Sequence, residues 1–171
     1  MLGGIPSLPG FEEDERRVDV SLEANREIVL RWFRDVGIDD ELAEALWQLD
    51  MEEEAWPVYP DAAEVVAEIS RRGCRTVLVS DFHADLRPFL ASNGIDLDAH
   101  VISFEHGFQK PDPRMFETAL ASVRADARDA LMVGDRASHD GGAAAVGIDT
   151  LILPAPQSFG PRGLDVVLQL L

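Results

Sequence analysis

The sequence holds a single cysteine, Cys74, so no intrachain disulfide can form and a cysteine-rich zinc site is excluded. Cys74 stands just before an apolar run, where a buried, unreactive thiol is expected. Positive charge is scarce: 15 Lys and Arg against 32 Asp and Glu give a formal net charge of −17. A nucleic-acid groove needs a basic face and an anionic membrane surface attracts a polybasic patch. Neither can be assembled here, so nucleic acid and membranes are not expected partners. No stretch approaches the roughly 18 apolar residues that span a bilayer. Met1 to Gly10 carry no basic n-region and run into Glu12, Glu13, Asp14 and Glu15, which is unlike a signal peptide. The cytoplasm is the expected compartment. Lysine is the rarest cation: Lys110 stands alone against 14 arginines, which draws attention to its position.

What is present is enough for a core. The 171 residues are 46% hydrophobic, 27% charged and 7% aromatic, which fits one domain, or one domain with a small insertion, and excludes a disordered tail. Charge divides the chain near Pro57, with 16 acids and 5 bases in residues 1–56 and 16 acids and 10 bases in 57–171. The first part reads as an irregular stretch over 1–20 followed by two helices. One covers 22–36 with Ser21 as N-cap and Gly37 as terminator; the other covers 40–49. Glu52 to Glu54 read as a solvated face or turn, and Trp32, Trp47 and Trp56 as core.

The second part alternates. Helices are expected from Pro60 through Ile69, over 85–93, 114–123 and 142–146, and at the end over 163–171. Strands are expected over 75–80, 101–103, 130–133 and 150–153. Short apolar strands alternating with amphipathic helices predict a parallel sheet covered on both faces.

In an open parallel sheet, reactive groups collect in the loops at the carboxyl ends of the strands. Three such loops carry suggestive residues. Ser80 closes the first strand, where a hydroxyl beside free amides can donate to an anionic oxygen. Lys110, in Gln109-Lys110-Pro111-Asp112-Pro113, is held by two prolines, and its ammonium suits a phosphoryl group or nearby carboxylates. Asp135 stands at the tip of the strand Met132-Val133-Gly134, and Asp140 follows as a helix begins. Two carboxylates in one loop suit a hard cation such as Mg²⁺.

The order Ser80, Lys110, Gly134-Asp135 and Asp140 resembles the haloacid dehalogenase (HAD) superfamily, in its capped subfamily I type. The likeness covers 59–154 and includes that family's second motif (strand, then Ser or Thr), third motif (Lys) and fourth motif (Gly-Asp-x-x-x-x-Asp). It implies an α/β fold, a Rossmann-like parallel sheet (the HAD-like core, 57–171), preceded by an irregular N-terminus and small helical cap region over 1–56. It also implies a phosphatase of a small phosphorylated metabolite that works through an aspartyl-phosphate. By resemblance Ser80 and Lys110 bind the phosphoryl oxygens, and Asp135 and Asp140 belong to the Mg²⁺ site. Lys110, Asp135 and Asp140 form the catalytic set, with Asp140 orienting a metal-bound water or Lys110.

The family's first motif, an apolar strand ending in Asp-x-Asp, has no counterpart before the helices. Asp96-Leu97-Asp98 reads as a turn, and Asp19-Val20-Ser21 has neither the right sequence nor a strand before it. No nucleophile is therefore nominated. Two readings stay open: a chain that starts downstream of its first motif, with Met1 an internal methionine, or a noncatalytic relative that binds a phosphate ligand or a partner. A receiver-type phosphoacceptor domain also uses carboxylates and a lysine on a parallel sheet, but has no cap and no fourth-motif loop. Asp81 adds a negative charge beside Ser80 and is expected to pair with Arg87 or cap the next helix. His83, His106 and His139 are expected to be surface or capping residues, with His139 the best placed for a substrate contact. Substrate identity and oligomeric state are not legible.

Overall fold

The computed structural model describes residues 10–52, 56, 58–153 and 160–171. The start of the irregular stretch (1–9), the acids at 53 and 54, and the boundary at Pro57 lie outside the described residues. Helix α1 (Phe11–Glu15) corrects the irregular reading of its segment. Its cause is tertiary: Phe11 packs on Trp32 at 5.0 Å between ring centroids, and Trp32 Nε1 donates to Asp14 at 3.1 Å. Helix α2 (Leu22–Asp35) starts as the sequence predicts, the Ser21 hydroxyl accepting the Ala24 N–H at 3.1 Å. It ends in a turn where Gly37 takes φ 88°, a conformation glycine adopts without a Cβ clash. Helix α3 (Asp40–Asp50), capped by Asp39, folds back onto α2. Trp32, Trp47 and Trp56 are half-buried rather than in the core, their indole N–H groups donating to Asp14, Asn25 and the Asp50 carbonyl.

Helix α4 (Ala62–Arg71) leads to strand β1 (Val77–Ser80), helix α5 (Arg87–Ser92) and strand β2 (Ala99–Ile102). The short helix α6 (Ser103–His106) occupies the end of the predicted strand at Ser103, because that hydroxyl is turned to backbone groups of the neighbouring loop. Helix α7 (Pro113–Val123), strand β3 (Leu131–Gly134) and strand β4 (Asp149–Ile152) complete the core. The small-residue segment Asp140–Val146 and the closing segment Leu164–Gln169 are 3-10 helices rather than α-helices. Cys74 is only partly buried.

Among the described residues the strands form two parallel pairs, β1 with β2 and β3 with β4, and not one continuous sheet. Helix α7 spans both. Met115 and Ala119 pack with Val101, and Phe116 packs with Ala143 and Ile148, while Val79 touches both clusters. Both pairs point their carboxyl ends toward the loops that hold Ser80, Lys110 and Asp135. No helix among the described residues is long and apolar enough to cross a membrane.

Candidate active site

The site is built around one carboxylate. Asp140 begins its 3-10 helix at the far end of the loop that leaves β3, and its side chain is 3% exposed. Lys110 Nζ donates to Asp140 Oδ1 at 2.6 Å, while Oδ2 accepts the backbone N–H groups of Asp135 and Arg136, each at 2.9 Å. Burial alone would raise the Asp140 pKa; the Lys110 ammonium and the two amides outweigh it and hold the carboxyl below its ordinary value. Two glycines make this approach possible. A Cβ on Gly134 would lie 2.2 Å from Asp140 Oδ2, and one on Gly142 would lie 2.8 Å from the Pro111 carbonyl oxygen.

Asp135 is exposed, and its carboxylate makes no hydrogen bond or ion pair among the described residues. Ser80 ends β1 opposite Ile102 and is half-buried. Asp81 does not pair with Arg87. That guanidinium is taken by Asp85 at 2.7 Å and Glu105 at 2.6 Å, both nearer the surface. Asp81 turns inward and accepts the Lys110 N–H at 2.8 Å. Burial pushes its carboxyl up, against the opposing pull of the Lys110 charge and N–H. The loops of β1 and Lys110 are thus tied together directly.

A second group of residues has no counterpart in the sequence reading. Asp19 Oδ1 lies 3.2 Å from His83 Nδ1 and accepts from Asn25 Nδ2 at 3.4 Å. The Asp19 N–H donates to Gln109 Oε1 at 3.1 Å, and its carbonyl accepts from the Ser103 hydroxyl at 2.5 Å. Gln109 Nε2 in turn donates to the Glu15 carbonyl at 2.7 Å. His83 and His139 are buried, 3% and 6% exposed, which corrects the surface expectation for both: the segment before α2 and the fourth-motif loop fold over them. Asp19 and His83 are 64 residues apart, so no local pattern pairs them. The one available signal was that Gln109 adjoins Lys110 and Asp19 stands two residues before the Ser21 cap.

Among the described residues no group of three or more His, Cys, Asp or Glu is arranged to hold a metal. The donor set nonetheless fits one ligand of a Mg²⁺ ion, which commonly takes one or two carboxylates and completes its shell with water and phosphate oxygens. The exposed Asp135 carboxylate has the chemistry for such a ligand. Asp140, expected in the metal site or orienting Lys110, has both oxygens engaged by internal donors, Lys110 among them.

Residues 10–147 match the family described as haloacid dehalogenase-like hydrolase. The chain belongs to the haloacid dehalogenase-like hydrolases. Among curated HAD relatives it is 35% identical to a phosphoserine phosphatase of Thermus thermophilus over 133 residues, covering 71% of this chain and 51% of that protein. It is 30% identical to the human haloacid dehalogenase-like hydrolase domain-containing protein 3 over 149 residues, covering 82% and 59%. The chain therefore spans a little over half the length of these relatives. A crystal structure of a HAD phosphatase from Thermococcus onnurineus superposes with TM-score 0.64 at 18% identity over 90% of this chain and 91% of that one, a likeness of fold. The expected Rossmann-like α/β architecture is the HAD architecture.

Proposed function

We propose that this chain carries the phosphate cradle of a Mg²⁺-dependent phosphatase that hydrolyses a small phosphorylated metabolite through an aspartyl-phosphate. The observation that carries the reading is the Lys110–Asp140 contact at 2.6 Å, which fixes a nearly buried ammonium between the ends of β1 and β3. In this reading the Lys110 ammonium balances phosphoryl charge and the Ser80 hydroxyl donates to a phosphoryl oxygen. Asp135 holds the cation; bound there, Mg²⁺ offsets the charge of the phosphoryl group against that of the carboxylates. Asp140 touches neither and acts through Lys110, as a positioning residue. An aspartate carboxylate attacks phosphorus as the ester P–O bond breaks, the departing alkoxide takes a proton from water, and a second water cleaves the acyl phosphate to inorganic phosphate and the free carboxylate. No residue of this chain is nominated as that carboxylate, and the helices before α4 belong to the cap in this reading.

The noncatalytic alternative stays beside this reading, since among the described residues β1 and β3 are not hydrogen-bonded to each other and both readings share that gap. Release of inorganic phosphate from p-nitrophenyl phosphate separates the readings. The chain as written should give none. The same chain preceded by an apolar strand ending in Asp-x-Asp should turn over with Mg²⁺ and lose that activity in K110M. No turnover from the extended protein would favour a noncatalytic phosphate binder; turnover by the chain alone would refute the missing-nucleophile reading.

A further inference from the structure

His83 is a buried group that the phosphate reading does not use. Its side chain is 3% exposed, and Nε2 is a buried nitrogen without a hydrogen-bond partner among the described residues. A buried polar atom left without a partner is costly, so such an atom calls for an explanation, and a ligand is one. Its other nitrogen is committed. Asp19 Oδ1 lies 3.2 Å from Nδ1, and a carboxylate can only accept, so Nδ1 carries the proton. In the neutral ring Nε2 then presents a lone pair.

The setting of the ring is built rather than incidental. Asp19 is fixed at both backbone ends, its N–H by Gln109 and its carbonyl by Ser103. Gln109 directly precedes Lys110, and His83 stands three residues after Ser80, so the pair is tied to both loops of the cradle. Asp19 is near enough that its charge helps raise the buried Asp81 carboxyl, which itself accepts the Lys110 N–H.

We propose that His83 is a substrate-selecting residue: Nε2 accepts a hydrogen bond from a hydroxyl or ammonium on the leaving group of a phosphate ester, and Asp19 positions it by fixing the tautomer. This rests on the phosphate reading above and adds the substrate class, esters whose alcohol carries a second donor.

Glycerol 3-phosphate and n-propyl phosphate share a carbon skeleton and differ in hydroxyl groups, so they make a suitable pair of probes. One hydrogen bond, net about 0.5–1.5 kcal/mol, corresponds to about 2- to 12-fold tighter binding of glycerol 3-phosphate by calorimetry. In a ¹⁵N-labelled chain with Mg²⁺, the His83 Nε2 resonance should move with glycerol 3-phosphate and stay with n-propyl phosphate. H83F should bind the two esters equally. D19N, whose amide donates to Nδ1 and drives the proton to Nε2, should also lose the preference, and its ring spectrum should show the exchanged tautomer.

Equal binding of the two esters by the wild-type chain would overturn the proposal, as would a preference that survives in both variants. Should H83F not fold, D19N decides by the same two readouts. Binding of n-propyl phosphate tests the cradle by itself: if neither ester binds, the phosphate reading fails and takes this proposal with it. If n-propyl phosphate binds and Nε2 is unmoved by either ester, this proposal alone fails.

Discussion

Replacing Asp140 with alanine is the most direct test of the site's architecture. The substitution strands three donors at once, the Lys110 ammonium on a side chain only 12% exposed and the amides of Asp135 and Arg136. Removing one partner of a buried ion pair costs about 3–5 kcal/mol, because the other charge stays buried without compensation. With a urea slope of about 1–3 kcal/mol per molar, a 3 kcal/mol loss lowers the unfolding midpoint by about 1–3 M. K110M should cost less, since Asp140 keeps both amide bonds. The double variant K110M/D140N should be more stable than the sum of its singles predicts by about 0.5–3 kcal/mol, the coupling expected of contacting residues. The pH dependence follows from the depressed Asp140 carboxyl. Its contribution is complete above the ordinary value of 3.8 and is lost as pH falls through the lower folded value, so the gap between wild type and D140A should close in acid. A D140A loss below about 1 kcal/mol at neutral pH, the size of an ordinary surface change, would refute the reasoning.

Two further substitutions probe the surroundings of this carboxylate. G134A drives a methyl to 2.2 Å from Asp140 Oδ2, whereas a Cβ on Gly141 meets nothing within 4 Å. Thermal unfolding should therefore show G134A destabilised by about 1–3 kcal/mol and G141A within about 0.5 kcal/mol of wild type. D81N keeps an oxygen for the Lys110 N–H and removes a buried charge whose pKa burial has raised. In the wild type the folded state holds that proton more tightly than the unfolded chain, so stability is lost as pH rises from the unfolded value of 3.8 through the folded one. D81N should match the wild type in acid and exceed it above that window. A stability difference constant from pH 3 to 8 would count against a raised Asp81.

How much of this was legible depends on where the signal lies. Ser80 and Asp135 announce themselves because each stands at the end of a short apolar run, where an open parallel sheet exposes its loops, and Lys110 because it is the one lysine and lies in a proline-bounded loop. The helix starts at Ser21 and Pro113 follow local capping rules, and so do the glycine stops at Gly37 and Gly73. The sequence could not show what depends on pairing across distance. Helix α1 exists because Phe11 and Asp14 meet Trp32, a contact with no local period. The inward turn of Asp81 depends on Asp85 and Glu105 having already satisfied Arg87. The pairing of His83 depends on Asp19, which lies before α2 and is separated from the histidine in the chain by three helices and a strand. Asp140 was legible as a site residue that orients either a metal-bound water or Lys110. The geometry adds the contact with Lys110 and the two backbone N–H groups that take its other oxygen.

That division of labour has an electrostatic consequence. Lys110 is the one lysine in a chain of net charge −17, and its ammonium is already compensated by Asp140 at 2.6 Å. The pair is close to neutral when viewed from the loop tips, while Asp81 and Asp135 add acidic groups around the same opening. In the proposed reading, a dianionic phosphate would meet donors but no surplus of positive charge. Binding should then depend on a cation at Asp135 to a degree that a site with a free arginine or lysine would not show. Titration of n-propyl phosphate followed by ³¹P resonance should reveal tighter binding with Mg²⁺ than with a chelator present, by at least about tenfold, the equivalent of one modest charge contact. D135N should remove that gain, and its metal-free affinity should be no weaker than that of the wild type, because an acidic group at the opening is gone. Equal affinity with and without Mg²⁺ would mean that the Lys110 charge remains available to the ligand, and the assignment of Asp140 as its internal counter-ion would have to be abandoned.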